Sequence, residues 1–304
     1  MNDISASAAL SVIELAPAKI NLALHVTGQR ADGYHLLDTL VAFANDTHDR
    51  LVFSSAAVDG FALEGRFGSD LSDSAEGADG NLVLKARDIL RAELQRTGQA
   101  APPVHIRLEK NLPIASGIGG GSTDAAATLR GLTRLWNTPL AADALAALAL
   151  KLGADVPMCL ASRPVRATGI GEMLQPVTNL PVLWMVLANP LTPVPTPAIF
   201  RKLTDKNNTP LPAFPVLGDT ASWTAYLERL RNDLEPPARD LVEEIGEIAA
   251  MLSGCEATLV RMSGSGATCY GLFPDWDHAA EAAAILISAR PDWYFEATST
   301  IPGE

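Results

Sequence analysis

The spacing of apolar and polar positions changes several times along the chain, and each change marks an element. In residues 19–26, Ile20, Leu22, Leu24 and Val26 alternate with Lys19, Asn21, Ala23 and His25. A period of two predicts a strand with one buried face, and it places Lys19 and Asn21 together on the other face. Residues 30–35 read as a turn punctuated by Asp32-Gly33. Two more strands are expected at 39–44 and 50–54, followed by a Gly-, Ser- and Asp-rich loop over 55–80. Asn81 then stands at the cap position of a helix that carries Leu82, Ala86, Ile89, Leu90 and Leu94 and stops near Gly98. Val104, Ile106 and Leu108 alternate with His105, Arg107 and Glu109 in a strand that runs into a glycine-rich loop over 110–123. Helices are expected from there to about Trp136 and over 140–152, with Gly153 as a stop.

Prolines 176, 181, 190, 193, 195 and 197 mark a connection between domains, wrapped around one buried strand at 182–187. Thr196-Pro197 supplies a cap hydroxyl and a first-turn proline for a helix at 197–203. Further helices are expected at 221–231, 238–252 and 277–289, and strands at 257–262, 268–273 and 293–299. Helices and strands mix throughout without an internal repeat, so the class is α+β or α/β.

Length and composition narrow the function. A chain of 304 residues, 48% of them hydrophobic, holds one large core or two ordinary ones. The net charge of −12 repels phosphate backbones, which argues against a nucleic-acid partner and requires any anionic ligand to be held by a local site. The uncharged stretch 173–200 is too rich in proline for a spanning helix, and Asp3 and Glu14 precede the first positive charge, so neither a membrane span nor a secretory signal is expected. Cys159, Cys255 and Cys269 form no C-x-x-C pair, which fits reduced thiols in a cytoplasmic protein. The five histidines show no metal-binding spacing, so no structural metal is expected.

Four segments carry candidate chemistry. Residues 113–124, Pro113-Ile114-Ala115-Ser116-Gly117-Ile118-Gly119-Gly120-Gly121-Ser122-Thr123-Asp124, join a strand to a helix. Glycines let the backbone approach a ligand, and free N–H groups with the helix dipole favour an anion, so the segment reads as a phosphate cradle rather than a packed glycine turn. Ser122 and Thr123 add hydroxyls for phosphate oxygens or a metal they carry. No Gly-Lys-Ser/Thr follows and the G-x-G-x-x-G spacing fails at Ser122, so neither a Walker A loop nor a dinucleotide fingerprint is present. Asp155, within Gly153-Ala154-Asp155-Val156-Pro157, reads on local grounds either as a helix cap or as a carboxylate aimed at an acceptor hydroxyl. Lys19 is either a solvated strand residue or the cation that supports such a carboxylate and a developing alkoxide. Residues 261–268, Arg261-Met262-Ser263-Gly264-Ser265-Gly266-Ala267-Thr268, are either an ordinary hairpin or a second loop that closes over phosphates.

In this order, Ala16-Pro17-Ala18-Lys19-Ile20-Asn21-Leu22, the loop 113–125 and Met262-Ser263-Gly264-Ser265-Gly266-Ala267 resemble the three motifs of the GHMP family of small-molecule kinases. Arg30-Ala31-Asp32-Gly33-Tyr34-His35, the Asp155 segment and Ile199-Phe200 sharpen the likeness toward members acting on cytidine diphosphate methylerythritol. The resemblance covers about residues 12–300. It implies an α+β, two-domain GHMP kinase fold: an N-terminal domain at 1–178 with a left-handed βαβ crossover, and a ferredoxin-like α/β domain at 179–304. It also implies a phosphotransferase with ATP as donor, Mg²⁺ arriving with it, and phosphorylation of the acceptor's 2-hydroxyl in non-mevalonate isoprenoid precursor biosynthesis.

By the same resemblance Asp155 and Lys19 are the catalytic pair and Asn21 lies near the transferring hydroxyl. Tyr34 and Phe200 sandwich the cytosine, His35 reads its edge, and Thr196 contacts substrate. Residues 113–123 bind the ATP phosphates, with Asn81, Lys110 and Asp124 near the nucleotide, and Gly264, Ser265, Gly266 and Ala267 form the third motif. Ala115-Ser116 stand where some members have glycines, and Asp124 where some have Asn. A GHMP kinase for another alcohol, such as homoserine or mevalonate, is the alternative within the class. A dinucleotide-dependent oxidoreductase and a non-catalytic nucleotide-binding relative are the alternatives outside it.

Overall fold

The computed structural model describes residues 11–73, 80–194, 196–216 and 218–304. Asp3, residues 74–79 of the expected loop and Pro195 of the proline-rich stretch lie outside the described residues.

The N-terminal sheet is built on one long hairpin. Strand β1 (Ser11–Gln29) pairs antiparallel with β2 (His35–Ser55), from Ser11 opposite Ser54 to Gln29 opposite His35. The expected strand at 19–26 is therefore the centre of a longer one, and the two expected at 39–44 and 50–54 are a single strand. Pairing continues through the polar run Asn45-Asp46-Thr47-His48-Asp49, where Ala16 faces Asp49 and Pro17 faces His48. That run resembles a turn in sequence, but its fully buried Asp49 has tertiary partners, accepting bonds from the backbone N–H groups of Asn111 and Leu112. Register shifts at Pro17/Lys19, Asn21/Ala23 and Val26/Gly28 bend the ribbon, as bulges do.

The stretch 55–80, expected as loop, contains β3 (Gly60–Glu64) and helix α1 (Gly68–Asp73). Helix α2 (Leu82–Arg96) follows with Asn81 as its cap, the side chain accepting from Val83 N–H at 2.9 Å, as the sequence predicts. β3 runs parallel to β4 (Val104–Glu109), so α1 and α2 lie in a βαβ crossover. Helix α3 (Gly120–Leu135) starts inside the glycine run, four residues earlier than expected, and is followed by α4 (Ala142–Leu152) and α5 (Val156–Ala161). Strands β5 (Val165–Gly169) and β6 (Met173–Pro176) complete a sheet of order β3-β4-β2-β5-β6, with β1 on β2. β6 is exposed along its length and shows no alternation, while β5 alternates over only five residues.

The second sheet contains β7 (Trp184–Asn189), β8 (Leu259–Met262), β9 (Cys269–Phe273) and β10 (Tyr294–Ser299) in the antiparallel order β10-β7-β9-β8. The elements between them are α6 (Thr196–Lys202), α7 (Thr220–Glu228), α8 (Glu235–Arg239), α9 (Glu244–Gly254) and α10 (Trp276–Ala289). Reduced to its crossings this is the βαββαβ pattern of a ferredoxin-like domain. The helix expected at 238–252 is two: α8 takes Pro236-Pro237 in its first turn, and α9 begins only at Glu244.

One apolar cluster joins the sheets. Ile20, Leu22 and Leu40 of the hairpin pack with Met185, Leu187, Tyr270 and Leu272, all fully or nearly fully buried. The alternation at 19–26 thus buries its apolar face between the two halves and turns Lys19 and Asn21 toward the cleft. Among the described residues no helix is long and apolar enough to cross a membrane.

Candidate active site

Three sequence motifs meet through backbone contacts that only small residues permit. Lys19 N–H donates to Ile118 O at 2.9 Å, which ties β1 to the glycine-rich loop. Ser263 Oγ accepts from Asn21 N–H and donates to Gly117 O, both at 3.0 Å, so one hydroxyl links all three segments. Gly117 has φ +79°, and a Cβ there would lie 2.5 Å from Ser263 O. Gly119 caps α3 with φ +65°, and a Cβ there would meet the Lys19 side chain at 2.8 Å. These positions need glycine for both backbone angle and space.

Asp155 sits at the N-cap position of α5 without making a side-chain cap bond. Its carboxylate instead reaches Lys19 Nζ at 2.9 Å. The lysine is 5% exposed and the aspartate 44%, so the cation is fixed and the carboxylate is open to a ligand. Lys19 Nζ also donates to Asn21 Oδ1 at 3.0 Å.

Two cavities adjoin at this pair. The larger, about 670 Å³, is lined by Lys19, Asn21, Asp155, Tyr34, His35, Thr196, Phe200, Arg201, Lys206, Gly264 and Ser265, among others. A second, about 260 Å³, runs along the glycine-rich loop and is lined by Ala115, Ser116, Gly117, Gly119, Gly120, Gly121 and Ser122. Lys19, Asp155, Thr196, Gly264 and Ser265 belong to both. Thr196 Oγ1 and Ser265 Oγ are 2.8 Å apart, holding α6 against the third motif.

At the far end of the larger cavity His35 stacks on Phe200, with centroids 4.6 Å apart and planes 24° apart. One face of Phe200 is thus already covered by His35, while Tyr34 projects with 59% exposure. Burial, and then the charge of Lys206, lowers the His35 pKa, which favours the neutral ring. Its Nε2 is buried with no protein partner.

A third space, about 40 Å³, lies behind the loop between Asn81, Lys110, Pro113, Ile114, Gly120 and Asp124. Here Lys110 Nζ bridges Asp49 at 2.5 Å and Asp124 at 2.7 Å, all three buried. Burial opposes the lysine's charge, but Asp124 and Asp49 outweigh it and raise its pKa. Burial and repulsion from Asp49 push the Asp124 carboxyl well above the usual range against the pull of Lys110.

Some expected loop contacts point elsewhere. Ile118 is a core residue, 0% exposed, and the Thr123 hydroxyl bonds back to Gly120 O at 2.9 Å rather than facing the phosphate cavity. Ala115 takes φ +48°, the left-handed backbone glycine adopts more readily. Sequence reasoning misses Thr39, Ser263, Arg201 and Lys206. Of these only Ser263 lies inside a motif that the sequence singles out.

The crossover sheet, the ferredoxin-like sheet and a glycine-rich loop between paired cavities define a class of protein, the GHMP kinases. The family models for the GHMP kinases N terminal domain and the GHMP kinases C terminal match residues 81–163 and 213–291. A 4-diphosphocytidyl-2-C-methyl-D-erythritol kinase of Rhizobium johnstonii is 62% identical over 293 residues, 96% of this chain and 94% of the relative. The crystal structure of a 4-(cytidine 5'-diphospho)-2C-methyl-D-erythritol kinase superposes with TM-score 0.77 at 35% identity, covering 96% of this chain and all of the other. The homoserine kinase of Cytophaga hutchinsonii shares the fold, with TM-score 0.67, 18% identity and coverage of 99% and 97%. The chain belongs to the 4-diphosphocytidyl-2-C-methyl-D-erythritol kinase family.

Proposed function

We propose that this protein transfers the γ-phosphoryl group of ATP to the 2-hydroxyl of 4-diphosphocytidyl-2-C-methyl-D-erythritol, giving the 2-phosphate and ADP in non-mevalonate isoprenoid precursor biosynthesis. The observation that carries this reading is the sharing of Lys19 and Asp155 by a cavity along an anion-binding loop and a larger cavity with an aromatic end. Phosphoryl transfer needs an acceptor oxygen and a phosphate brought together in a site with fixed charges, and catalysis is mostly positioning and electrostatics.

In this reading the N–H groups of the loop and of the α3 N-terminus hold the ATP phosphates. Asp155 orients the acceptor hydroxyl and takes its proton, and the Lys19 ammonium stabilises the developing alkoxide. Tyr34, His35 and Phe200 receive the cytosine, since a pyrimidine offers a π-face to rings and polar edges to His35. Asn21, Thr196, Gly264, Ser265 and Gly266 line or support the acceptor side. Asn81, Lys110 and Asp124 stand on the nucleotide side. A small acid such as homoserine or mevalonate would leave the aromatic end unused.

Among the described residues no group of three or more His, Cys, Asp or Glu side chains could hold a metal. The oxygen-bearing side chains lining the phosphate cavity are Ser116, Ser122, Asp155, Thr196 and Ser265, with Asp155 the one carboxylate among them, which suits Mg²⁺ bound chiefly by ATP phosphates and water. There it would neutralise phosphate charge. A domain boundary at 178/179 is supported by the change of sheet between β6 and β7. A cytoplasmic location is supported by three unpaired cysteines, two of them buried.

The test is ADP release by purified protein with Mg-ATP, with and without the cytidyl acceptor, beside Asp155→Asn. Acceptor-dependent release that falls by about 10²- to 10⁴-fold in Asp155→Asn is the expected result, the range usual for a lost proton-transfer group. ATP binding without acceptor-dependent release would sink the assigned acceptor.

A further inference from the structure

Lys19 and Asp155 do not explain why the lysine side chain holds one position. Its ammonium is fixed from one side by Asp155 and from the other by Asn21 Oδ1 at 3.0 Å. A side-chain amide has two ends of nearly equal shape, and only the oxygen end can receive a lysine proton. Turned over, Asn21 would present N–H groups to Nζ and push the cation away.

The amide's orientation is decided one residue further out. Thr39 Oγ1 lies 2.6 Å from Ala23 O and 2.8 Å from Asn21 Nδ2. A carbonyl only accepts, so the single hydroxyl proton of Thr39 goes to Ala23 O. The hydroxyl must therefore accept from Asn21, which requires the NH₂ end on that side and leaves Oδ1 toward Lys19. Donation thus runs one way from Lys19 through Asn21 and Thr39 to Ala23 O, while the same ammonium donates separately to Asp155. Thr39 and Asn21 are 2% and 3% exposed, so bulk water does not offer an easy substitute partner. The register shift between Asn21 and Ala23 brings the two side chains together, since in the ladder Asn21 pairs with Val41 and Thr39 with Leu24.

We infer that Thr39 is a positioning residue of the phosphoryl transfer, setting the Asn21 amide and through it the place of the Lys19 ammonium beside Asp155. The inference rests on the kinase reading above. Thr39 lines the larger cavity at its wall, and its role is exerted through Asn21 rather than on the reacting atoms.

Thr39→Val keeps the shape and removes both hydrogen bonds, Thr39→Cys weakens them, and Thr39→Ser keeps the hydroxyl. Two readouts are taken on each. The first is steady-state kinetics with Mg-ATP and the cytidyl acceptor. kcat is expected to fall about tenfold or more in Thr39→Val with the acceptor KM within about threefold, as for an interaction that matters mainly in the transition state. Thr39→Cys should fall between, and Thr39→Ser should recover most of kcat. The second is the Asn21 side-chain amide signal in ¹⁵N–¹H spectra of the ligand-free protein, assigned by its loss in Asn21→Asp. It should be single and slow to exchange in wild type and Thr39→Ser, and displaced or doubled in Thr39→Val or, should that variant fail to fold, in Thr39→Cys. Unchanged kcat and an unmoved amide signal in the folded variants would overturn the inference. Wild type that fails to turn over the acceptor while its amide signal still responds to Thr39 would overturn the acceptor reading and leave the positioning chain standing.

Discussion

At the scale of single residues, the sequence exposes groups with chemistry of their own and hides those that act through a neighbour. Lys19 stands on the polar face of an alternating strand and Asp155 beside a helix start, so the residue pattern offers both as candidates, and the resemblance to the GHMP kinases pairs them. Thr39 does not, because a threonine in a β-strand is ordinary and its value depends on a bulge in the opposite strand. His25 shows the same limit. Its Nδ1 lies 2.8 Å from Thr209 O, and its Nε2 accepts weakly from Arg231 N–H at 3.4 Å, an arrangement of the neutral ring. Burial lowers its pKa, the bond to Thr209 pulls the other way, and Arg231 adds to the lowering. Because the folded pKa lies below the unfolded value of 6.5, the unfolded chain binds protons more readily. The neutral-state stability is complete above that value and declines as pH falls from it toward the folded pKa. The His25 imidazole signal should titrate with a midpoint below 6.5, and the urea midpoint should drop as the pH falls below 6.5 toward that midpoint. A His25 midpoint above 6.5 would show that the ring is not held neutral.

At the scale of elements, legibility follows periodicity. α2, α4, α10 and β4 are readable because each buries one face of a regular pattern or carries a cap residue, and β7 because it is a continuous apolar run between prolines, buried on both faces. The hairpin strands read too short because polar residues 45–49 continue a strand whose partners lie far away in sequence. β3 and β6 escape the sequence pattern because neither buries one face, and β5 because its alternation lasts only from Val165 to Gly169. The glycine-rich loop is legible as an anion site, yet its individual glycines differ in ways that only tertiary contacts reveal. Gly117→Ala would set a methyl against the backbone of Ser263 and Gly266 at a positive φ. It should cost about 1–3 kcal/mol, the usual scale of local strain, and weaken ATP binding by separating the loop from the third motif. Gly121→Ala meets only Leu82 Cδ1 at 3.5 Å within a helical turn. There the change should be neutral or stabilising by up to about 1 kcal/mol, since alanine is the better helix former. Thermal unfolding of the two variants side by side checks the contrast, and equal losses would mean that the packing against Ser263 is not what matters.

At the scale of the whole molecule, two sheets with separate family models still share a core. The apolar face of β1 lies against β7 and β9, so neither half can keep its surface dry alone. Arg261, 5% exposed, binds across the same junction. Its guanidinium donates to Leu22 O at 2.8 Å from β1, and to Leu227 O at 2.8 Å and Leu230 O at 2.7 Å around the end of α7. No carboxylate pairs with it among the described residues, so carbonyl dipoles and the Tyr270 hydroxyl, 3.4 Å from Nη1, compensate its burial. The cleft chemistry depends on this junction, because Lys19 and Asn21 ride on the strand that Arg261 and the shared cluster hold in place. The intact chain should therefore unfold in one transition, with calorimetric and van't Hoff enthalpies equal, despite its two-sheet plan. Arg261→Leu takes the donor from Leu230 O, while Leu22 O keeps the Tyr270 hydroxyl and Leu227 O the Leu230 N–H, and should lower stability by about 1–3 kcal/mol, the scale of one unsatisfied buried acceptor. It should also lower kcat by loosening β1 under Lys19. Two resolved transitions in the wild type would show that the halves are held by the cleft loops alone. One transition in the wild type and two in Arg261→Leu would identify this arginine as the link that makes the domains fold as a unit.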